Sequence, residues 1–116
     1  MKIRLGMHYK KGDIVLIKFP FSSLKKSKKR PVLLIKDENF QGDFVCFQIT
    51  SKSTQNNLFL LKQDSFLGNP LPLQSFVKYD KCFTLHSDIV EKKLTSINLN
   101  TLKKITKLFC NFFSIS

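Results

Sequence analysis

The hydrophobic period changes once along this chain, and that change limits the architectures open to it. In the first three quarters, apolar side chains recur at every second position in short runs; beyond Asn98 they recur three and four apart. In Asp13–Phe19, DIVLIKF, Val15, Ile17 and Phe19 share one face while Ile14, Leu16 and Lys18 take the other, the pattern of a strand enriched in β-branched residues. Lys10–Gly12 precedes it as a turn, and Pro20, with no N–H for a ladder, ends it. The same pattern predicts strands over Val32–Ile35, Phe44–Thr50 and a short edge strand over Asn57–Leu61. Phe76–Leu85 reads as a longer mixture of strand and turn. The breaks are the polar loop Ser22–Lys29, the Asp37–Asp43 turn around Gly42, the Ser51–Asn56 segment, and Gly68-Asn69-Pro70 with Pro72. Leu102, Ile105, Leu108, Phe109 and Phe112 then form a helical stripe, with Lys103, Lys104 and Lys107 off it. Asn98 is its predicted N-cap, and Thr101 offers a weak form of the capping box. The expected fold is mainly β (α+β): a small antiparallel barrel with a C-terminal helix packing its Phe-rich face on it. A chain of 116 residues holds one such domain, taken as residues 1–116. Its core is modest, and burying further apolar surface against a second copy suits it.

Lys and Arg outnumber Asp and Glu 20 to 8, for a net charge of +12. A field of that sign concentrates polyanions. Nucleic acid fits best, an acidic protein or an anionic membrane surface also fits, and lysine that merely solubilises a chain with 12 Phe is the bland alternative. Cys46, Cys82 and Cys110 form no CxxC, and the flanks FVCFQI and KLFCNFF suggest reduced, mostly buried thiols. The N-terminal MKIRLGMHYKKGD has no apolar run of signal-peptide length, and no segment is long enough to cross a bilayer. A cytoplasmic protein with no membrane partner is expected. The spacing of Asp13, Asp80 and Asp88 resembles no metal motif, so neither metal nor cofactor is expected.

GDIVLIKFPF (Gly12–Phe21), KRPVLLI (Lys29–Ile35), QITS (Gln48–Ser51) and SFVKYDKCFTL (Ser75–Leu85) occur in the order and spacing of MazF/PemK-type toxins. The chain resembles that family from Gly12 to Phe109. The resemblance implies an SH3-like barrel with a C-terminal helix and a two-fold homodimer. It also implies metal-free cleavage of single-stranded RNA at short preferred sequences, and inhibition by an antitoxin whose acidic, flexible tail lies across the RNA site. It sets Arg30 on the family's catalytic arginine before proline and Thr50 on its threonine at the end of the third main strand. Gly12 and Pro20 fall on the glycine and proline bordering the first strand. Asp80, in YDK, is similar to a structural aspartate.

These residue types suit phosphoryl transfer. Attack of a ribose 2′-OH on the adjacent phosphate builds negative charge on the phosphoryl oxygens. An arginine meets that charge with paired, permanently charged donors. A threonine hydroxyl can orient a phosphate oxygen or the attacking group. Pro31 drives Arg30 toward extended backbone at a strand entrance. The bland alternatives are a solvated end of the lysine run, or a pair with Asp37 or Glu38, for Arg30, and a backbone-bonded hydroxyl for Thr50. Lys25, Lys26, Lys28 and Lys29 are candidates for steering RNA phosphates. Phe21 and Phe76, with Phe19, are candidate stacking platforms, and Ser51 and Lys52 are candidate contacts beside Thr50. The loop lacks the acidic residue that some relatives carry there. His8 and His86 match no catalytic position of the family, although imidazoles are the usual agents of metal-free RNA cleavage. The competing functions are a non-catalytic nucleic-acid-binding barrel and a degenerate toxin that only binds an antitoxin. Convergence of Arg30 and Thr50 in an open groove favours the enzyme; burial of either favours its competitors.

Overall fold

Val15 and Ile17 on one side of the first strand and Ile14 on the other are all fully buried, so this strand has apolar cover on both faces. The computed structural model describes residues 8–19 and 28–115. Its elements are β1 (Asp13–Phe19), β2 (Lys28–Leu34), β3 (Asp43–Thr50), β4 (Leu58–Leu61), β5 (Ser75–His86), β6 (Val90–Ser96) and α1 (Leu99–Phe113). Short 3-10 turns occupy Gln63–Ser65 and Ser87–Ile89. The strands form one antiparallel sheet in the order β4-β5-β3-β2-β1-β6. The sheet curls without closing into a continuous ladder. Its ends are fastened by an isolated Phe66–Ile97 bridge and by the Leu67 N–H donating to Ser96 O at 2.9 Å.

Two cores follow from the strand alternation. The first face gathers Ile14, Leu33, Phe47, Ile49 and Val77 under Leu102 and Ile105 of α1. The second gathers Val15, Ile17, Val32, Leu34, Phe44 and Cys46 with Tyr9. Burial on both faces explains the unbroken VLL of β2, where alternation alone would ask for a polar residue. The predicted cap is present, with Asn98 Oδ1 accepting from Thr101 N–H at 2.8 Å. The helix seat is shorter than the stripe. Phe109 packs on Phe47 with ring centres 5.0 Å apart, but Leu108 is exposed, Phe112 is 48% and Phe113 61% exposed, and the ring contacts of Phe112 among the described residues are edge-on ones to Tyr79 and its own helical neighbour Phe113.

Several boundaries differ from the pattern. β2 begins at Lys28, not Val32, because Lys28, Lys29 and Arg30 pair with Phe19, Lys18 and Ile17 of β1. β5 is one strand of 12 residues. Its register against β3 jumps between Phe47 and Gln48, where Tyr79–Lys81 intervene as a bulge. β6, VEKKLTS, has no apolar alternation; it is an edge strand placed by β1, with Thr95 its single buried residue. Cys46 is buried as expected, whereas Cys82 and Cys110 are exposed, and all three are free thiols. Cys110 sits one position past Phe109, on a flank of α1 turned from the core. Burial, with a contribution from Cys82, pushes the Cys46 thiol up to about 12; burial also raises Cys82. Pro20, Phe21, Lys25 and Lys26 lie outside the described residues, as does the side chain of Phe19.

Candidate active site

The ladder between β2 and β3 pairs Leu34 with Cys46, Leu33 with Phe47 and Val32 with Gln48, and ends there. Pro31, next on β2, has no N–H to extend it. Carried two residues further, the same register sets Arg30 opposite Thr50, on the face shared with Val32 and Leu34. Across the neighbouring ladders Arg30 opposes Ile17, Thr50 opposes Phe76, and Gln48 opposes Lys78. Arg30, Gln48, Thr50, Phe76 and Lys78 therefore share one sheet face, where the second core gives way to polar side chains. Gln48 and Lys78 escaped the sequence analysis. Two-residue spacing from Thr50 and from Phe76 was their available signal.

Arg30 is half-buried, and among the described residues its guanidinium has no ion pair or hydrogen bond. The pairings offered as its bland alternative are not made. Asp37 accepts from Lys11 N–H at 2.9 Å, and Glu38 accepts from Tyr9 N–H at 3.2 Å and stands 4.0 Å from His8 Nδ1. Thr50 is 8% exposed, and its Oγ1 accepts from Lys52 N–H at 3.1 Å. A structural threonine bonds in this way too, but the hydroxyl proton stays available to a second acceptor. Lys78 is buried, its Nζ donating to Asn56 O at 3.0 Å and to Asp80 Oδ2 at 3.3 Å. Asp80 Oδ1 lies 3.0 Å from the same ammonium but outside hydrogen-bond geometry, so that contact is ionic. Asn57 Nδ2 donates to Asp80 Oδ2 at 3.1 Å. Burial pushes the Asp80 carboxyl up, but the hydrogen bonds from Lys78 and Asn57 and the Lys78 charge outweigh it, holding the group below the usual carboxylate range.

The other candidates scatter. Lys28 alternates onto the face of Arg30. Lys29 alternates onto the opposite face, where Glu91 Oε2 lies 3.7 Å from it and Glu91 Oε1 lies 3.5 Å from Lys18. Ser51 and Lys52 are exposed immediately past Thr50, and Phe76 is half-buried beside it. His86 pairs with Asp43 at the start of β3, about 24 Å along the strand from Thr50. Its Nδ1 accepts from Asp88 N–H at 3.0 Å and its Nε2 lies 3.0 Å from Gln41 O, so both ring nitrogens are engaged. His8 keeps to the same far end through Glu38. Among the described residues no group of three or more His, Cys, Asp or Glu side chains converges.

An open-edged curled sheet with a terminal helix, carrying an arginine unpaired among the described residues and in register with a strand-end hydroxyl, defines a class of small basic β proteins. The family model for PemK-like, MazF-like toxins of type II toxin–antitoxin systems matches residues 10–113, and the chain belongs to that family. Solved structures share the fold. A MazE–MazF complex from Deinococcus radiodurans superposes with a TM-score of 0.73 at 15% identity, covering 92% of this chain and 97% of that one. MazF from the same organism gives 0.70 at 16% identity, with 95% and 100% covered. A mycobacterial endoribonuclease in complex with its cognate antitoxin gives 0.65 at 17% identity, with 92% and 98% covered. No curated protein matches the sequence. Among the described residues no helix is long and apolar enough to cross a membrane.

Proposed function

We propose that this protein is a cytoplasmic toxin that cleaves single-stranded RNA at preferred sequences without a metal ion, acting as a homodimer and held inactive by an acidic, flexible antitoxin segment. The observation that carries it is Arg30: a half-buried guanidinium without an anionic partner among the described residues, set by register opposite the Thr50 hydroxyl. A phosphate supplies the missing counter-charge. As the 2′ oxygen bonds to phosphorus, giving its proton to solvent, and the 5′ oxygen departs, taking a proton from solvent, charge grows on the phosphoryl oxygens, and the arginine fork answers it with two parallel donors. Thr50, whose oxygen already accepts from Lys52 N–H, donates a hydrogen bond to a phosphoryl oxygen. Phe76 offers a base a stacking face, while Lys28, Lys52 and Ser51 contact the flanking backbone. Lys25, Lys26 and Phe21 extend the same role into the segment before β2, and Lys29 adds to the field from the opposite face. The exposed Phe112 and Phe113 support burial against a second copy, and the charge of +12 supports an acidic inhibitor.

A non-catalytic RNA-binding protein is the alternative, favoured by the burial of Thr50. Incubation with a long single-stranded RNA in excess chelator, followed by mapping of the new 5′ ends, separates the two. Discrete cuts lost in Arg30→Ala support the enzyme. Binding without cutting supports the alternative.

A further inference from the structure

The segment between β3 and β4 is stapled at both ends and chemically open in between. At its start, Lys52 N–H donates to Thr50 Oγ1 at 3.1 Å. At its end, the buried Lys78 ammonium donates to Asn56 O at 3.0 Å, Asn57 Nδ2 donates to Asp80 Oδ2 at 3.1 Å, and Tyr79 N–H donates to Asn57 O at 3.2 Å. Asn57 adopts a left-handed φ of 60°, which asparagine tolerates and which turns the chain into β4. Between the staples, Ser53, Thr54 and Asn56 are exposed and Gln55 half-exposed. Hydroxyls and amides suit base edges because they both donate and accept, whereas a lysine only donates.

We propose that Lys78, clamped by Asp80, is a positioning residue that fixes the Ser51–Asn56 segment beside the Arg30–Thr50 site, and so sets which bases next to the cleaved phosphate are accepted. The proposal rests on the reading of that site as an RNA-cleaving one. The geometry distinguishes it from a plain stabilising ion pair. An ammonium placed only for stability would need its carboxylate, but here it also grips the backbone carbonyl at the end of the segment. The carboxylate likewise grips the next side chain, so one ion pair, its lysine buried and its aspartate partly so, restrains two successive loop residues. It sits on β5 at the bulge of Tyr79–Lys81, where the strand departs from β3. Bulges redirect side chains in this way. Loosening the clamp frees the distal half of the segment while Arg30 stays on β2 and Thr50 on β3.

The test is the distribution of cut sites across an RNA library with randomised bases around a fixed length, read by sequencing after single-turnover cleavage. Lys78→Met keeps the apolar stem and removes the charge and donors. Asn57→Gly keeps the left-handed φ while removing the link to Asp80, and serves where Lys78→Met does not fold. The expected result is a preference for the best over the next-best sequence that falls by about tenfold, the scale of one lost base-reading pair, with a much smaller loss of rate at the best site. A folded variant whose cut-site distribution matches the wild type overturns the proposal while leaving the cleavage reading intact. A wild-type protein that cuts no RNA overturns both, and is told apart by that control.

Discussion

The two ends of β3 both gather polar side chains, but differ in how much bonding capacity folding leaves over. At the Asp43 end lie His86, Asp88 and Glu38, and a hollow of about 260 Å³ that Lys36, Asp37, Asn39, Asp43 and Thr84 line in part. Many of these polar groups are taken up by the chain itself. Asn39 Oδ1 accepts from Gln41 and Asp43 N–H at 3.0 and 2.8 Å, Asp37 accepts from Lys11, and the His86 ring caps the Ser87–Ile89 turn. At the Thr50 end Arg30 keeps its guanidinium donors free among the described residues, Thr50 keeps a proton, and Ser51 and Lys52 face solvent. Reactive residue types do not mark a site; bonding capacity left over after folding does. Imidazole and carboxylate together draw attention to the Asp43 end, whereas the site proposed above lies at the Thr50 end.

That contrast can be broken most decisively by exchanging the losses. Arg30→Ala should lower single-turnover RNA cleavage about a hundredfold to a thousandfold, the scale for removing one preorganised donor. His86→Ala should leave the rate near the wild-type value. The reverse result would move the chemistry to the Asp43 end. Thr50→Val keeps the shape and deletes the hydroxyl. A rate loss of about tenfold or more is expected if the proton meets a charged phosphoryl oxygen, measured with a thermal melt to show that the strand end survives. Lys28→Gln should lower the slope of log affinity against log salt by about 0.7, one phosphate contact, whereas Lys29→Gln on the opposite face should leave it unchanged. Equal effects would mean that the strand alternation does not sort these lysines. The smallest effect concerns acid. The Asp80 carboxyl is held below its ordinary value, about 3.9, so its contribution to stability is complete above that pH and lost as pH falls through the folded value. The drop in urea midpoint between pH 5 and pH 3 should therefore be smaller in Asp80→Asn than in the wild type.

What could be read in advance was local. β1 announces itself by period two between a glycine and a proline, and Asn98 caps α1 through a bond three residues long in sequence. Arg30 was legible because Pro31 restrains it and because the surrounding motif resembles a family. The charge of Lys28 and Lys29 argues against burial and so reads as loop, but the β1 ladder holds them extended with one side in solvent. β6 was invisible for the same reason, its lysines and glutamate being those of an edge. Two-residue spacing puts Lys78 on the face of Phe76, but its meeting with Gln48 depends on the pairing of β3 with β5, and no spacing rule within one strand encodes the register between two. The flank KLFCNFF misleads for Cys110, which is exposed, because apolar neighbours in sequence are not apolar neighbours in space.

Gly12 stands with φ at +90°, its N–H donating to Leu34 O and its carbonyl accepting from Ile97 N–H, each at 2.8 Å. A Cβ there would meet Ile97 O at 3.1 Å. Next to it, Asp13 Oδ1 takes the Ser96 hydroxyl at 3.0 Å and lies 3.3 Å from Lys93 Nζ. The opening strand is thus buttoned to the last one, across most of the length of the chain. During synthesis, Arg30 and Thr50 leave the ribosome well before residues 90–97 do, and at about 5–20 residues per second the gap is on the order of seconds. Through that interval β1 has a partner on one side only, and the loop-closing contacts that fix Gly12 are not yet available. A chain interrupted before Val90 would carry every residue of the candidate site on a sheet whose first strand is bare along its outer edge.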